Sequence, residues 1–421
     1  MNLSQYVFIF PADESHSLLF HSATGCLLKL ASTCFDRESL LTERLTRDDL
    51  VTLQEGGFLA ATEEIKNRLD SLYRQSSDTL TLSIELTGQC NLKCSYCYQN
   101  GWASRGTIGA STIEHIIAYI EKCTGLFACQ AVKIDFIGGE PFIAVDAMQE
   151  IFSRIKLICR ERGLRFEAQA ETNGTLLKYE RLRELDILDL SVTLSLPEDH
   201  NKMRPYMNGA PSYDRILSNL IDCRDLFKNN PLNLSLRYNV HAGNYRQFAD
   251  FVAEMKRLQL PIKTIKTAYT AEHGAFHNGL TMDEFKAWNS STAIDVLLNH
   301  GYPVPFFPHA TTKRCEAYQS FNCKVFFDGT VGLCNASKYG TSSLSIRQLV
   351  SNPAALNEHY VDIKAWTPLQ DAECFNCKEL LLCGGKTFCR DNPCDYSSYN
   401  LKAFLEKYVH YSENGLGHCF V

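Results

Sequence analysis

Apolar and polar positions alternate over short stretches near the start of the chain. Tyr6-Val7-Phe8-Ile9-Phe10 and Ser17-Leu18-Leu19-Phe20 flank the polar turn Asp13-Glu14-Ser15, and Cys26-Leu27-Leu28-Lys29-Leu30 follows. This predicts three short strands. Two helical stretches are expected near 36–43 and 61–73, making residues 1–78 a small separate unit. From there strands and helices alternate. Strands are expected over Leu80–Leu86, Ala131–Ile137, Leu164–Glu171, Asp189–Leu196, Asn233–Val240 and Lys263–Ala268. Helices are expected over Thr112–Thr124, Val145–Arg162, and near 178–186, 212–227 and 245–258. Such alternation builds βα units around a parallel sheet. Six units are too few to close an eight-fold ring, so the expected architecture over 79–305 is a partial (β/α)6 barrel of α/β class. After about 305 the strands shorten. Val325-Phe326-Phe327-Asp328-Gly329-Thr330 runs an apolar strand into an Asp-Gly turn. Lys402–Val409 is a candidate closing helix.

Composition sharpens this. The 421 residues are 45% apolar, which supports a packed core rather than disorder. The net charge of −6 and the lack of a basic, aromatic-interleaved run argue against a nucleic-acid partner. No basic segment followed by an apolar stretch opens the chain, and no 18-residue uncharged apolar run occurs. A cytoplasmic protein without a membrane partner is expected.

Eighteen cysteines are many for this length. Six are isolated and read as buried packing residues: Cys26, Cys34, Cys123, Cys129, Cys159 and Cys223. Nine fall between Cys315 and Cys419 at short spacings, which in a reducing compartment reads as metal ligation. The remaining three are Cys90, Cys94 and Cys97. A Cys-x3-Cys-x2-Cys segment gives three thiolates to a four-iron cluster and leaves one iron open, whereas four cysteines would leave none. Three zinc ligands are the competing account. An aromatic, Tyr96, precedes the third cysteine, and Gly138-Gly139-Glu140-Pro141 follows the next strand.

This combination resembles the radical S-adenosylmethionine (SAM) superfamily. The resemblance implies a [4Fe–4S] cluster on Cys90, Cys94 and Cys97 that binds SAM and releases a 5′-deoxyadenosyl radical. Gly138, Gly139 and Glu140 would meet the methionine amino group, and the backbone near Tyr98 would hold adenine. Tyr96 counts with them among the cofactor-binding positions. Asn173 in Glu171-Thr172-Asn173-Gly174, Ser195 at a strand end, and Asn239 correspond to segments that line ribose and methionine. One departure stands out. Related peptide-modifying members carry Ser-Leu-Asp-Gly before a downstream His and Arg. Here the sequence is Ser195-Leu196-Pro197-Glu198-Asp199-His200, with Arg204 beyond. It reads as a surface helix start, and no chemistry is assigned to His200 or Arg204.

The C-terminal cysteines resemble those of the SPASM extension of this superfamily. Cys374-x2-Cys377-x5-Cys383 matches, as do the spacings from Cys315 to Gly329 and from Gly329 to Cys334. The resemblance implies two auxiliary [4Fe–4S] clusters over 306–421. The first would take Cys315, Cys323, Cys334 and Cys389. The second would take Cys374, Cys377 and Cys383, with Cys394 or Cys419 as the fourth. Nine cysteines exceed by one what two such clusters need.

The same resemblance implies modification of a peptide. The N-terminal unit is similar to the winged-helix-like peptide-recognition module of maturases of ribosomally made peptides, and its strands can take a leader sequence as an added strand. The expected product is an intramolecular crosslink: a cyclophane C–C bond, a C–O bond or a thioether. An external donor such as flavodoxin or ferredoxin would supply electrons. Two alternatives remain. One is a sulfatase-maturing, formylglycine-forming enzyme, although such relatives carry Asp where this chain has Asn335 after Cys334. The other is an iron–sulfur electron-transfer or binding protein without radical chemistry.

Overall fold

The computed structural model describes residues 3–36, 39–59, 67, 70–71, 77–99, 106–186, 188–229, 232–272, 276–305, 307–308, 315–365, 367–383 and 399–420. The chain divides into two compact units: Ser77–Val304 with Gln319–Val361, and Met1–Ser76 with Pro305–Tyr318 and Asp362–Val421.

In the second of these, the expected strands form as β1 (Val7–Pro11), β2 (His16–His21) and β3 (Leu27–Ala31), an antiparallel sheet in that order. The helix expected near 36–43 does not form. Phe35–Asp36 (β4) pairs with Ser39–Leu40 (β5), and the helix starts later, over Arg47–Glu55. Its start was legible in the sequence. Thr46 and Asp49 close a reciprocal capping box, the Thr46 hydroxyl accepting from the Asp49 N–H and the Asp49 carboxylate from the Thr46 N–H. The helix expected over 61–73 lies outside the described residues apart from 67 and 70–71. Val7, Leu19, Leu30, Leu40, Leu53 and Phe58 make one core of this unit. Tyr6, Ala23, Cys374, Leu380 and Leu381 make another. The closing helix is longer than expected, Leu401–Glu413, and Asn400 caps it.

The other unit contains the six expected βα strands: β6 (Thr79–Glu85), β7 (Ala131–Ile137), β8 (Arg165–Thr172), β9 (Leu188–Thr193), β10 (Asn233–Val240) and β11 (Ile262–Tyr269). All neighbours among them pair in parallel, in chain order. A hairpin of β12 (Cys323–Val325) and β13 (Val331–Gly332) extends the row. β12 lies parallel to β6 and turns back through Asp328-Gly329. The strands carry two different faces. Leu80, Leu82 and Ile84 of β6, and Leu234, Leu236, Tyr238 and Val240 of β10, are wholly buried on the apolar face. Helices cover it: Ala110–Leu126 buries Ile113, Ile116, Ile117 and Ile120 at helical spacing. The other face is polar, with Thr81, Ser83 and Glu85 on β6, and Ser235, Arg237 and Asn239 on β10. Of the isolated cysteines, Cys34, Cys123, Cys159 and Cys223 are buried, as expected, while Cys26 and Cys129 are half-buried.

Among the described residues, the polar face holds an ion pair with both partners fully buried. Lys324, fully buried on β12, places its Nζ 3.1 Å from Glu85 Oε2. The same ammonium donates to the carbonyls of Ser337 (3.2 Å) and Asn335 (3.4 Å). Burial pushes the Glu85 carboxyl up and the Lys324 ammonium down, each opposed by the charge of the other. Removing one partner strands the other charge away from water. Lys324→Met is expected to cost about 3–5 kcal/mol of unfolding free energy. The double variant Glu85→Leu/Lys324→Met recovers most of that, as read from urea denaturation midpoints.

Candidate active site

The turn after β6 carries Cys90, Cys94 and Cys97, and it is fixed by backbone docking. Gly139 N–H donates to Thr87 O, and Glu140 N–H to Gln89 O, both at 2.8 Å. The glycines make this approach possible. A Cβ on Gly138 would lie 2.6 Å from Thr87 O, and one on Gly139 would collide with the Gln89 carbonyl. Glu140 sits directly behind. Its carboxylate accepts from the Phe142 N–H (3.0 Å), the Thr172 hydroxyl (2.6 Å) and the Asn173 N–H (2.7 Å). It is fully buried and does not line the cavity described below. Its observed work is to tie the turn after β7 to the end of β8.

Asn173 continues this network. Its Oδ1 accepts from the Thr175 N–H (2.9 Å) and hydroxyl (2.6 Å), which turns Nδ2 toward Asn91 Oδ1 (2.8 Å) and Cys90 Sγ (3.8 Å). Leu92 N–H also donates to Cys90 Sγ, at 3.4 Å. Two donors therefore face this sulfur.

The three cysteines open onto a cavity of 860 Å³. Tyr96, Tyr98, Gly138, Gly139, Asn173 and Asn239 line it with them, whereas Ser195 and Glu140 lie outside the lining. Ser191 and Thr193 of β9, Arg237 of β10, and Tyr269, Thr270 and Glu272 at the end of β11 complete the lining. Arg237 joins Glu171 (3.4 Å) and donates to Asn239 Oδ1 (3.1 Å). Burial pushes the thiols of Cys90 and Cys94 up, and the Arg204 guanidinium opposes this at Cys94.

Arg204 is the residue that the sequence reading left without a role. The expected helix is present, Pro197–Met203, and Pro197, Glu198 and Lys202 are exposed as expected, but its other side is buried. His200, Met203 and Arg204 are buried. Arg204 lines the cavity beside the cysteines. Its Nη1 donates to Tyr96 Oη at 3.3 Å, and its Nε has no hydrogen-bond partner among the described residues. A buried guanidinium with unused donors suits an anionic group such as a carboxylate. His200 is different: burial first, and the Arg204 charge second, push its imidazole down to about 3, so it stays neutral and packs against Tyr213. Asp199 anchors the helix from its other side, with His241 Nε2 3.1 Å from Oδ1 and the Asn244 amide donating to Oδ2 at 3.0 Å. His241 Nδ1 accepts from the Gly243 N–H, which leaves the proton on Nε2, toward Asp199.

Among the described residues, no three His, Cys, Asp or Glu side chains converge on one point as they would around a single metal ion. A four-iron cluster takes one thiolate per iron, at separate corners, so convergence is not required of its ligands. Cys90, Cys94 and Cys97 fit such a group by donor type, by their shared place on one wall, and by the donors aimed at Cys90. The C-terminal cysteines are more scattered in setting. Cys323 and Cys374 are buried, Cys334, Cys383 and Cys419 half-buried, and Cys315 and Cys377 exposed. Cys389 and Cys394 lie outside the described residues.

Residues 84–255 match the family model described as the radical SAM superfamily. A probable GTP 3′,8-cyclase of Methanothermobacter thermautotrophicus is 36% identical over 106 residues, 25% of this chain and 31% of that protein. The chain spans less than half the length of the first curated relatives it matches; the share is 44% for an uncharacterised protein of Methanocaldococcus jannaschii. Streptococcus suis SuiB bound to S-adenosylmethionine superposes with a TM-score of 0.56 at 14% identity, covering 95% of this chain and 98% of SuiB. SuiB has also been solved with its precursor peptide SuiA. The structure named anSMEcpe, with bound AdoMet and the Cp18Cys peptide, superposes with a TM-score of 0.55 at 18% identity, covering 81% and 97%.

Two outcomes are expected. Arg204→Met should weaken SAM binding by about 2 kcal/mol or more, roughly thirtyfold, in calorimetric titration, while the protein keeps its cluster absorbance. For Asp199, burial pushes the carboxyl up, but His241, Asn244 and Ser195 together hold it below its usual value. The stability it contributes is complete above about pH 4 and is lost as pH falls through the depressed native value. The wild-type urea midpoint should therefore fall more steeply below about pH 4 than that of Asp199→Asn.

A cysteine turn docked on a glycine pair, a family match over 84–255 and a fold shared with SuiB and anSMEcpe identify residues 84–255 of this chain as a radical SAM domain.

Proposed function

We propose that the chain is a peptide maturase that joins two side chains of one precursor peptide. The observation that carries this is the cavity, which brings together the three cysteines, Arg204 and the polar strand ends of β9, β10 and β11. At 860 Å³ it lies near the top of the usual ligand-pocket range of about 300–1,000 Å³, room for a nucleoside-sized group and a side chain together. The peptides held by SuiB and anSMEcpe favour a peptide as the second occupant.

A reduced cluster with SAM supplies a 5′-deoxyadenosyl radical when bound. The chain's own residues then have three tasks. Arg204 holds a carboxylate, with Tyr96 fixing the guanidinium plane. Gly138 and Gly139 keep the cysteine turn at its depth in the cavity. Asn239, Arg237 and Thr193 orient the substrate by hydrogen bonds. The balance of a crosslink is two hydrogens. One leaves as an atom with 5′-deoxyadenosine. After the new bond forms, the second leaves as a proton to solvent and an electron to an iron–sulfur acceptor, the role that auxiliary clusters on the C-terminal cysteines would fill. The N-terminal unit, through its three-stranded sheet, would recognise the leader. A sulfatase-maturing role is less favoured, because Asn335 offers a neutral amide where those relatives carry a base.

The test is tandem mass spectrometry of a candidate precursor peptide encoded beside the gene, incubated anaerobically with reconstituted enzyme, SAM and reductant. The expected product has lost two hydrogens and shows fragmentation blocked between the joined residues. Cys94→Ala should abolish both product and 5′-deoxyadenosine. Steady 5′-deoxyadenosine with an unchanged peptide would reject that substrate. Loss of two hydrogens with unblocked fragmentation would overturn crosslinking in favour of oxidation at one residue.

A further inference from the structure

We propose that Cys323 is a packing thiol of the barrel and not a cluster ligand, so that eight C-terminal cysteines, not nine, are available to iron. The argument starts from strand register. In the ladder between β12 and β6, Cys323 stands opposite Leu82, Lys324 opposite Ser83, and Val325 opposite Ile84. Paired residues of a parallel ladder point to the same face, and successive residues to opposite faces. Cys323 and Val325 therefore share the apolar face with Leu82 and Ile84. Lys324 shares the polar face with Ser83 and Glu85.

The surroundings agree. Cys323 is 3% exposed, and the covering helix Ala110–Leu126 buries Tyr119 fully. Tyr119 in turn donates to the Phe321 carbonyl at 2.7 Å, two residues before Cys323. Cys334 belongs to the other side. Its turn hangs on Lys324, whose Nζ bonds the carbonyls of Asn335 and Ser337, and the Cys334 N–H donates to Ser337 Oγ at 3.2 Å. Cys334 follows two residues after β13, in a turn held on the Lys324 side, whereas Cys323 leaves the other face of β12, so one cluster takes both thiols only if the strand is displaced. Bringing Cys323 across requires a one-residue slip, and that slip would carry the Lys324 ammonium into the apolar layer. A thiolate on the apolar face is costly for the same reason.

This rests on the reading of the C-terminal cysteines as iron ligands, and it changes what that reading implies. The resemblance leaves nine thiols for two clusters. Without Cys323 there remain Cys315, Cys334, Cys374, Cys377, Cys383, Cys389, Cys394 and Cys419, four for each cluster. Fully ligated clusters have no open iron, so they suit electron transfer rather than direct binding of the peptide.

The test is iron and acid-labile sulfide per chain in the anaerobically reconstituted full-length protein. Wild type, Cys323→Ala, Cys323→Val and Cys334→Ala are compared, with urea midpoints as a check on folding. Three four-iron clusters give about 12 irons in wild type. Both Cys323 variants should match wild type in iron, sulfide and the electron paramagnetic resonance of the reduced clusters, while Cys334→Ala drops to about eight irons. The valine variant keeps the apolar layer filled if the alanine cavity proves too destabilising. A folded Cys323 variant that loses about four irons overturns the proposal and leaves the cluster reading intact. A wild type that binds only about four irons overturns the cluster reading, and the count of eight with it.

Discussion

Two backbone hydrogen bonds, from Gly139 to Thr87 and from Glu140 to Gln89, set the depth at which the cysteine turn sits, and much of the site is arranged to keep them. They need two adjacent residues without side chains, because any Cβ there would strike the carbonyls of Thr87 and Gln89. They also need an anchor behind them. Glu140 provides it by accepting from the Phe142 N–H of its own turn and from Thr172 and Asn173 at the end of β8, so that the turn after β7, which holds the cysteine turn, is tied to β8. The motif residues thus act first on each other. Glycines expected to approach a ligand make their observed close contact with the cysteine turn, and a carboxylate expected at an ammonium is engaged inside the fold.

The same economy governs the sheet. A parallel sheet covered on both faces by helices reads as continuous apolar strands. Here β6, β9 and β10 alternate instead: Leu80-Thr81-Leu82-Ser83-Ile84-Glu85, Leu188-Asp189-Leu190-Ser191-Val192-Thr193, and Leu234-Ser235-Leu236-Arg237-Tyr238-Asn239. The apolar half faces helices and the polar half faces a cavity. The six strands, expected from the alternation of strand and helix segments, lie within three residues of their observed ends, and in β9 and β10 the period of two puts Ser191, Thr193, Arg237 and Asn239 on the cavity side.

What escaped the sequence was long-range in kind. The Asp-Gly of related members is missing after β9, and Pro197-Glu198-Asp199 has the composition of an exposed helix start. Pro197 and Glu198 are indeed exposed, but partners 42 to 45 positions away, His241 and Asn244, meet Asp199 and hold the other side of the helix inward. Arg204 is carried into the cavity by that contact. Local chemistry misled the reading in the other unit too. Residues 36–43 contain enough helix-tolerant positions to suggest a helix, yet the pairing of Phe35 with Leu40 wins, and the stronger start signal at Thr46 and Asp49 lay ten residues further on.

Lys324 shows how a single residue can decide the meaning of its neighbours. A lysine inside a strand would ordinarily mark an exposed face, with Cys323 and Val325 turned inward. The lysine is instead fully buried, because Glu85 supplies a counter-charge and the turn after Cys334 supplies two carbonyls. Both faces of β12 are therefore interior, but of opposite character, one dry and one ionic. A spacing pattern counts cysteines along the chain without regard to face, and so groups Cys323 with Cys334. Strand geometry separates them. The ion pair makes the separation firm, because no slip of β12 can exchange the two thiols without placing an ammonium among Leu82, Ile84 and Tyr119, where nothing on that apolar face would repay its lost hydration.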